Sequence, residues 1–320
     1  MRRRYLCGAL VGVLAAAGIL TTAWGASAAP ATLHAQPKMS VMRPLGFRQH
    51  AKPTRPNRTN NLSYRGGIGG IGVETAPKVY LVLWGSQWNN NDPYGEASRL
   101  QDFFTGVGGS SWLNSVTQYC QGVASGTITC PTNSQHAGNQ ANIYVTTWRD
   151  NASAAPSHPT QSQLAAEAVR AAGQVGNTSS ATNNTVQYVI ATATGNSASG
   201  FGTQYCAWHS STSSSYGNIA YTNLPYITDA GPSCGSNFVN SGSSGATDGV
   251  TIVEGHELAE TITDQFPNGG WLDRNGEENG DKCAWVSSGS GASRDIGLST
   301  GSFAVQTLWS NANNGCVISY

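Results

Sequence analysis

The stretch VEGHELAETITD, residues 253–264, contains HELAE: a histidine and a glutamate side by side, with a second glutamate four positions after the histidine. On a helix, positions i and i+4 lie one turn apart on the same side, so His256 and Glu260 can reach one metal ion. Glu257 is rotated by one residue and can hold a water that the ion polarises, as general base. Zinc accepts carboxylate oxygen as well as imidazole nitrogen. A glutamate ligand offsets part of the ion's charge, leaves bound water less acidic than three histidines would, and admits manganese or calcium. The competing reading is a polar helix whose five-residue match is chance. Against it stand Ile252, Val253, Leu258, Ala259 and Ile262, which imply burial around groups that are costly to bury uncompensated.

The third ligand is open. Asp264 shares the helix face, but eight residues is ~12 Å of rise, so it is expected to support the site rather than to ligate. Beyond the helix stop PNGG, the stretch WLDRNGEENGDKC returns Asp273, Glu277, Glu278 and Asp281 in a glycine-rich turn. Glu278 and Asp281 are candidates to complete the His256 site, and the loop is a candidate calcium site of its own. It does not follow the EF-hand frame. His209, in YCAWHS beside Cys206, is the rival third ligand.

These residues sit in a chain of 320 residues whose near-zero net charge averages two unlike parts. Residues 1–28 combine three arginines, an apolar run and the ending Ala26-Ser27-Ala28, the pattern of a secretory signal peptide. Residues 29–70 carry seven Lys and Arg and no acid, with few large apolar side chains; a disordered arm or a removable propeptide is expected there. All seventeen acidic residues follow position 70, against seven basic ones, so residues 71–320, expected as a single domain, carry an excess of ten acidic groups. That surface argues against a nucleic-acid partner and suits cation binding. No second apolar run approaches the roughly 20 residues needed to span a bilayer. Six cysteines remain after the signal, and neighbour pairing, 120 with 130, 206 with 234 and 283 with 316, is the expected framework.

The elements that must position the candidates are legible in part. KVYLVLW (78–84), NIYVTTW (142–148) and VQYVIATA (186–193) read as strands, and Asn218 to Leu224 as a further short one. Helical spacing marks 96–107 and the segment after Thr160, a candidate N-cap. A short helix is expected over 111–119, loop through the Ser/Thr-rich stretch around Cys206, and strands at CAWV, FAVQTLW and CVISY. Strands alternating with helices predict an α/β or α+β fold with a mixed sheet, stapled by disulfides.

HELAET, the tryptophan-containing turn and ENGDKC together resemble a group of bacterial secreted HELAE-type proteins, with CAWH at 206–209 as another matching point. These in turn resemble zincin-like metallopeptidases and, more distantly, the plant EXORDIUM or phosphate-induced extracellular proteins. The likeness runs from about Lys78 to the C-terminus. It implies a zincin-like sheet with an active-site helix, His256 and Glu260 as zinc ligands, and Glu257 as base. Glu260 departs from the common motif, which has histidine there. The expected function is a secreted zinc endopeptidase acting on extracellular protein or peptide. The alternatives are a non-catalytic extracellular or wall-associated binding protein with a structural metal, and a glycosidase using two of the carboxylates.

Overall fold

A run of seven residues, KVYLVLW, forms the spine of the molecule because its side chains are apolar on both faces. In the computed structural model, which describes residues 38–47 and 60–320, Lys78–Trp84 is a central strand. Val79, Leu81 and Leu83 point into one core while Tyr80, Val82 and Trp84 point into the other. Burial on both faces is what a parallel strand flanked by helices requires.

Six strands make the main sheet: β1 (Ser40–Met42), β2 (Lys78–Trp84), β3 (Tyr144–Asp150), β4 (Val186–Thr192), β5 (Ala207–Ser214) and β6 (Gly217–Leu224). Their spatial order is β1-β5-β6-β4-β2-β3. β3, β2, β4 and β6 are parallel, while β5 runs antiparallel to β6 and β1 antiparallel to β5. The protein is therefore mixed α/β with a mixed sheet. No helix among the described residues is long and apolar enough to cross a membrane.

Helix α1 (Glu96–Val107) presents Leu100, Phe103, Phe104 and Val107 to one core. Helix α2 (Gln161–Gln174) presents Leu164, Ala168, Ala171 and Ala172 to the other. Thr160 caps α2 in a reciprocal capping box with Gln163, as its position suggests. Helix α3 (Asp248–Thr263) carries HELAE and is buried along all sixteen residues. Asp248 ties its start by accepting the N–H groups of Val239 and Asn240 at 2.8 and 2.6 Å. At its end Asp264 accepts N–H groups from Asn268, Gly269 and Gly270, which turns the chain back across the helix.

Several expectations change. The Ser/Thr-rich stretch after Cys206 is not loop: Ala207–Ser214 is β5, and its hydroxyl residues hid the strand from an apolar-pattern reading. Residues 38–47 and 60–70 of the basic segment are not disordered, because Met42, Leu62 and Tyr64 are buried in the core. Ser63–Tyr64 pairs antiparallel with Trp271–Leu272. The signal-peptide expectation lies outside the described residues. CAWV is not a strand; a 3-10 turn at Asp281–Cys283 leads into Trp285, whose φ of 57° lies in the left-handed region. The helix expected over 111–119 is a 3-10 turn, Leu113–Gln118.

The disulfides join Cys120 to Cys130, Cys206 to Cys234 and Cys283 to Cys316, the neighbour pairing. The second holds the head of β5 to the approach to α3, where Gly249 packs so tightly that a Cβ would lie 2.0 Å from the Cys234 carbonyl oxygen. Replacing both Cys206 and Cys234 by alanine is expected to cost on the order of 3 kcal/mol in chemical denaturation, from the freed loop of the unfolded chain. An unchanged midpoint and slope would show that the link does not hold the site's wall.

Candidate functional site

One turn of α3 separates His256 from Glu260, and their side chains meet: His256 Nε2 lies 3.1 Å from Glu260 Oε1. The imidazole is oriented from behind. Gln306 donates its side-chain N–H to the Gly280 carbonyl at 2.8 Å, which turns its Oε1 toward His256 Nδ1 at 3.2 Å. A carboxamide oxygen only accepts, so this contact places a proton on Nδ1 and leaves Nε2 as the atom that faces the glutamates. Gln306, in the run expected as a plain strand, was not foreseen, since a lone glutamine carries no spacing signal.

The returning loop closes over the helix. Asp281 donates its backbone N–H to Glu260 Oε1 at 2.8 Å and sets its Oδ1 3.8 Å from His256 Nε2. Gly280 makes this approach possible: a Cβ there would lie 2.7 Å from His256 Nδ1 and 2.9 Å from Glu260 Oε1. On the other side β5 delivers His209, whose Nε2 lies 3.1 Å from Glu278 Oε2 and 3.6 Å from Glu260 Oε2. Glu260 therefore stands between two histidines, one facing each oxygen.

Two groups of ligand atoms converge within 4.8 Å among the described residues: His256, Glu260 and Asp281, and His209, Glu257 and Glu260. Glu278 reaches the site through His209. Asp273 does not join it, being held by the Lys282 ammonium at 3.0 Å and by the N–H groups of Asn275 and Glu277. Neither converging group draws on Asp273 or Glu277, the other acids of the proposed calcium loop. Asp264, expected to support the site, spends its carboxylate on the turn that ends α3. Comparisons of the chain with protein-family models, curated proteins and solved structures found no match.

The electrostatics follow from burial. His209, His256, Glu257 and Glu260 have no exposed surface, and Asp281 keeps 18% of its side chain exposed. Burial alone would neutralise every one of these groups. It disfavours the imidazolium of His256, but Glu260, Glu257 and Asp281 overcome it and raise the group to about 10. Likewise Glu278 and Glu260 carry His209 well above its ordinary value against the same opposition. For Glu260, burial is outweighed by His256 and by hydrogen bonds from both histidines, so it is held below the usual carboxylate range. Glu257 goes the other way: burial raises it, and the attraction of His256 offsets only part of this. Both Glu257 oxygens lack a hydrogen-bond partner, as do both oxygens of Glu254 one turn earlier. His256, Glu260 and Asp281 each offer one ligand atom within 4.8 Å of the others, a set that a divalent cation satisfies. Tetrahedral ligands about 2.1 Å from zinc stand about 3.4 Å apart, and the 3.1 and 3.8 Å separations around His256 bracket that spacing. The donor set thus fits zinc.

Glu74, in neither converging group, shows the same desolvation. It is fully buried, accepts a bond from Gln187 at 2.9 Å, and is pushed up to about 8 by burial, with Gln187 and His209 opposing. Its carboxyl keeps a proton in the folded chain that the unfolded chain loses above the ordinary glutamate value of about 4.3. Stability from this group is therefore full below that value and falls as pH rises toward 8. Glu74→Gln abolishes the titration. From pH 5 to pH 8, denaturation free energies of variant relative to parent are expected to move toward the variant by on the order of 3–4 kcal/mol; a pH-independent gap refutes the assignment. At the Gly280 contact, Gly280→Ala is expected to lower stability by about 1–3 kcal/mol by overpacking, read in the same assay. No loss would mean that the loop has room to move off His256.

Proposed function

We propose that the chain is a secreted, metal-dependent hydrolase of peptide bonds, with a zincin-like division of labour. The observation that carries this reading is the convergence of His256, Glu260 and Asp281 beside a buried Glu257 whose two carboxylate oxygens have no partner. In this reading His256 Nε2, one Glu260 oxygen and Asp281 hold zinc, and Glu257 is the general base. Bound zinc supplies a positive charge that polarises a carbonyl and makes a water acidic at neutral pH. With the ion held there, Glu257 would act as general base, accepting a proton from a water and returning it to the leaving amine. Gln306 orients His256 through its Nδ1 side, and the Asp281 backbone N–H holds Glu260 in place. His209 Nε2, 3.1 Å from Glu278 Oε2 and 3.6 Å from Glu260 Oε2, faces the same space from β5. The resemblance of HELAET and ENGDKC to secreted metallopeptidase-like proteins supports the reaction class. Three disulfides accord with an oxidising, extracellular location.

A second reading has its own observation. Glu257 also belongs to the His209 group of converging atoms, and there it would be a ligand of a structural ion in a non-catalytic extracellular or wall-associated binding protein. The two readings part at Glu257→Gln. For the hydrolase, purified variant retains about one zinc per chain by elemental analysis while degradation of an unfolded protein falls at least ~100-fold, the scale of a lost general base. For the structural ion, the variant loses its metal and thermal stability, and the parent degrades nothing. His256→Ala loses the metal in the hydrolase reading, and retention there would discard it; His209→Ala loses the metal in the structural-ion reading.

A further inference from the structure

β1 lies across the way into the site. Ser40 stands opposite His209 in the β1–β5 register, and Ser40 Oγ is 3.5 Å from Glu260 Oε2. The segment after it bridges the two walls of the site. Cys206 N–H on the β5 side donates to the Met42 carbonyl at 2.8 Å, and Leu45 N–H donates to the Ser233 carbonyl at 2.8 Å. From the ENGDKC side the Trp285 indole N–H donates to the Arg43 carbonyl at 2.6 Å. A surface pocket of about 350 Å³ reaches Asp281, and residues 43–47 form one wall of it. A second pocket of about 420 Å³ runs along the other side of β1, lined by Met39, Val41 and Arg43 against Trp208 and Tyr205. While residues 39–45 are in place, no surface of Glu257 or His256 is open to a solute.

We infer that the outer edge of β5, with the Asp281–Trp285 turn facing it, is a binding cleft for an extended peptide, occupied in this structure by residues 39–45 of the chain itself. The role given to this cleft rests on the hydrolase reading. Three features support the assignment. Most of the bonds that hold the segment are made to its backbone: the β5 ladder, Cys206, Ser233 and Trp285, together with Ser210 Oγ donating to the Lys38 carbonyl at 3.1 Å; the side-chain bonds are Arg43 Nη1 donating to the Gln204 carbonyl at 3.0 Å and Ser40 Oγ donating to Glu260. Backbone pairing at a sheet edge accepts any extended chain, and side chains supply the preference. The segment's own side chains show that preference. Small, polar Ser40 faces the cluster, and Met42, two residues on and on the same face of the strand, is fully buried in the core of α3. An external peptide is therefore expected to bind best with a small residue over the cluster and an unbranched apolar residue two positions later. Lastly, β5 is already paired along its other side with β6, so departure of β1 leaves its free edge intact for a replacement strand.

The experiment uses the full zinc-loaded chain, its Met42→Asp variant, which puts a carboxylate in the core pocket, and Met42→Ala, which only empties that pocket. Hydrogen exchange at the β5 amides of Ala207–Ser210 and degradation of an unfolded protein are followed, with and without the synthetic peptide KMSVMRPLGF and a scrambled control. Met42→Asp is expected to exchange at least ~100-fold faster across β5 and to degrade protein at least ~10-fold faster, with Met42→Ala shifting both in the same direction by less. Added peptide, but not its scramble, restores protection and inhibits degradation. Should Met42→Asp fail to fold, Met42→Ala alone decides. β5 protection unchanged in a folded variant, or not restored by millimolar peptide, overturns the inference even if all forms degrade protein equally. Protection lost and restored with no degradation by any form leaves the cleft standing and removes the hydrolase reading instead.

Discussion

The cost of burying carboxylates governs this structure. Glu254, Glu257, Glu260, Asp264, Glu278 and Asp281 sit in or beside one helix that is buried on every side, with two histidines for company. A half-exposed helix would let water solvate these groups, and none would need a partner. Enclosure forces the outcome instead. Glu260 is ionised between two imidazoles, Asp264 is satisfied by three backbone N–H groups, and Glu257 and Glu254 are left without hydrogen bonds. Removing one partner from such a set leaves a buried charge uncompensated, which is why the surrounding structure is so closely specified.

The rest of the fold serves that enclosure. The parallel strands supply a floor apolar on both faces, α1 and the Phe303 region cover the helix with aromatic side chains, and β5 contributes a histidine from its inner face. The returning loop could approach only where a side chain is absent, at Gly280. Precision in the site thus comes from the helix and the strand, while the loop adds two acids by close backbone docking, as the Asp281 N–H bond to Glu260 illustrates.

How much of this could be read beforehand depended on whether the signal lay in side-chain pattern or in long-range pairing. The strands at Lys78–Trp84 and Val186–Thr192 and the helix through HELAE announced themselves as apolar runs with firm stops. The pairing of His256 with Glu260 followed from helical geometry. β5 did not, because AWHSSTSS has no apolar alternation; it is a strand through its neighbours on both sides. β1 is three residues long and gains its place from the buried Met42 and from pairing with β5. Gln306 and Glu254 became visible only when the chain brought together residues fifty positions apart or showed which faces of α3 were closed. Asp264 was legible as a neighbour of the site but not as the residue that turns the chain after it.

The placement of the disulfides has a kinetic corollary. The three links close loops within 120–130, 206–234 and 283–316, so none ties residues 38–47 to the body of the protein. While the backbone is continuous, β1 is a tethered ligand at an effective concentration on the order of millimolar. A single cut behind it would replace that figure with the concentration of the protein in its surroundings. In a dilute medium the strand, once dissociated, would be lost by simple diffusion, and an equilibrium between two conformations would become a one-way event.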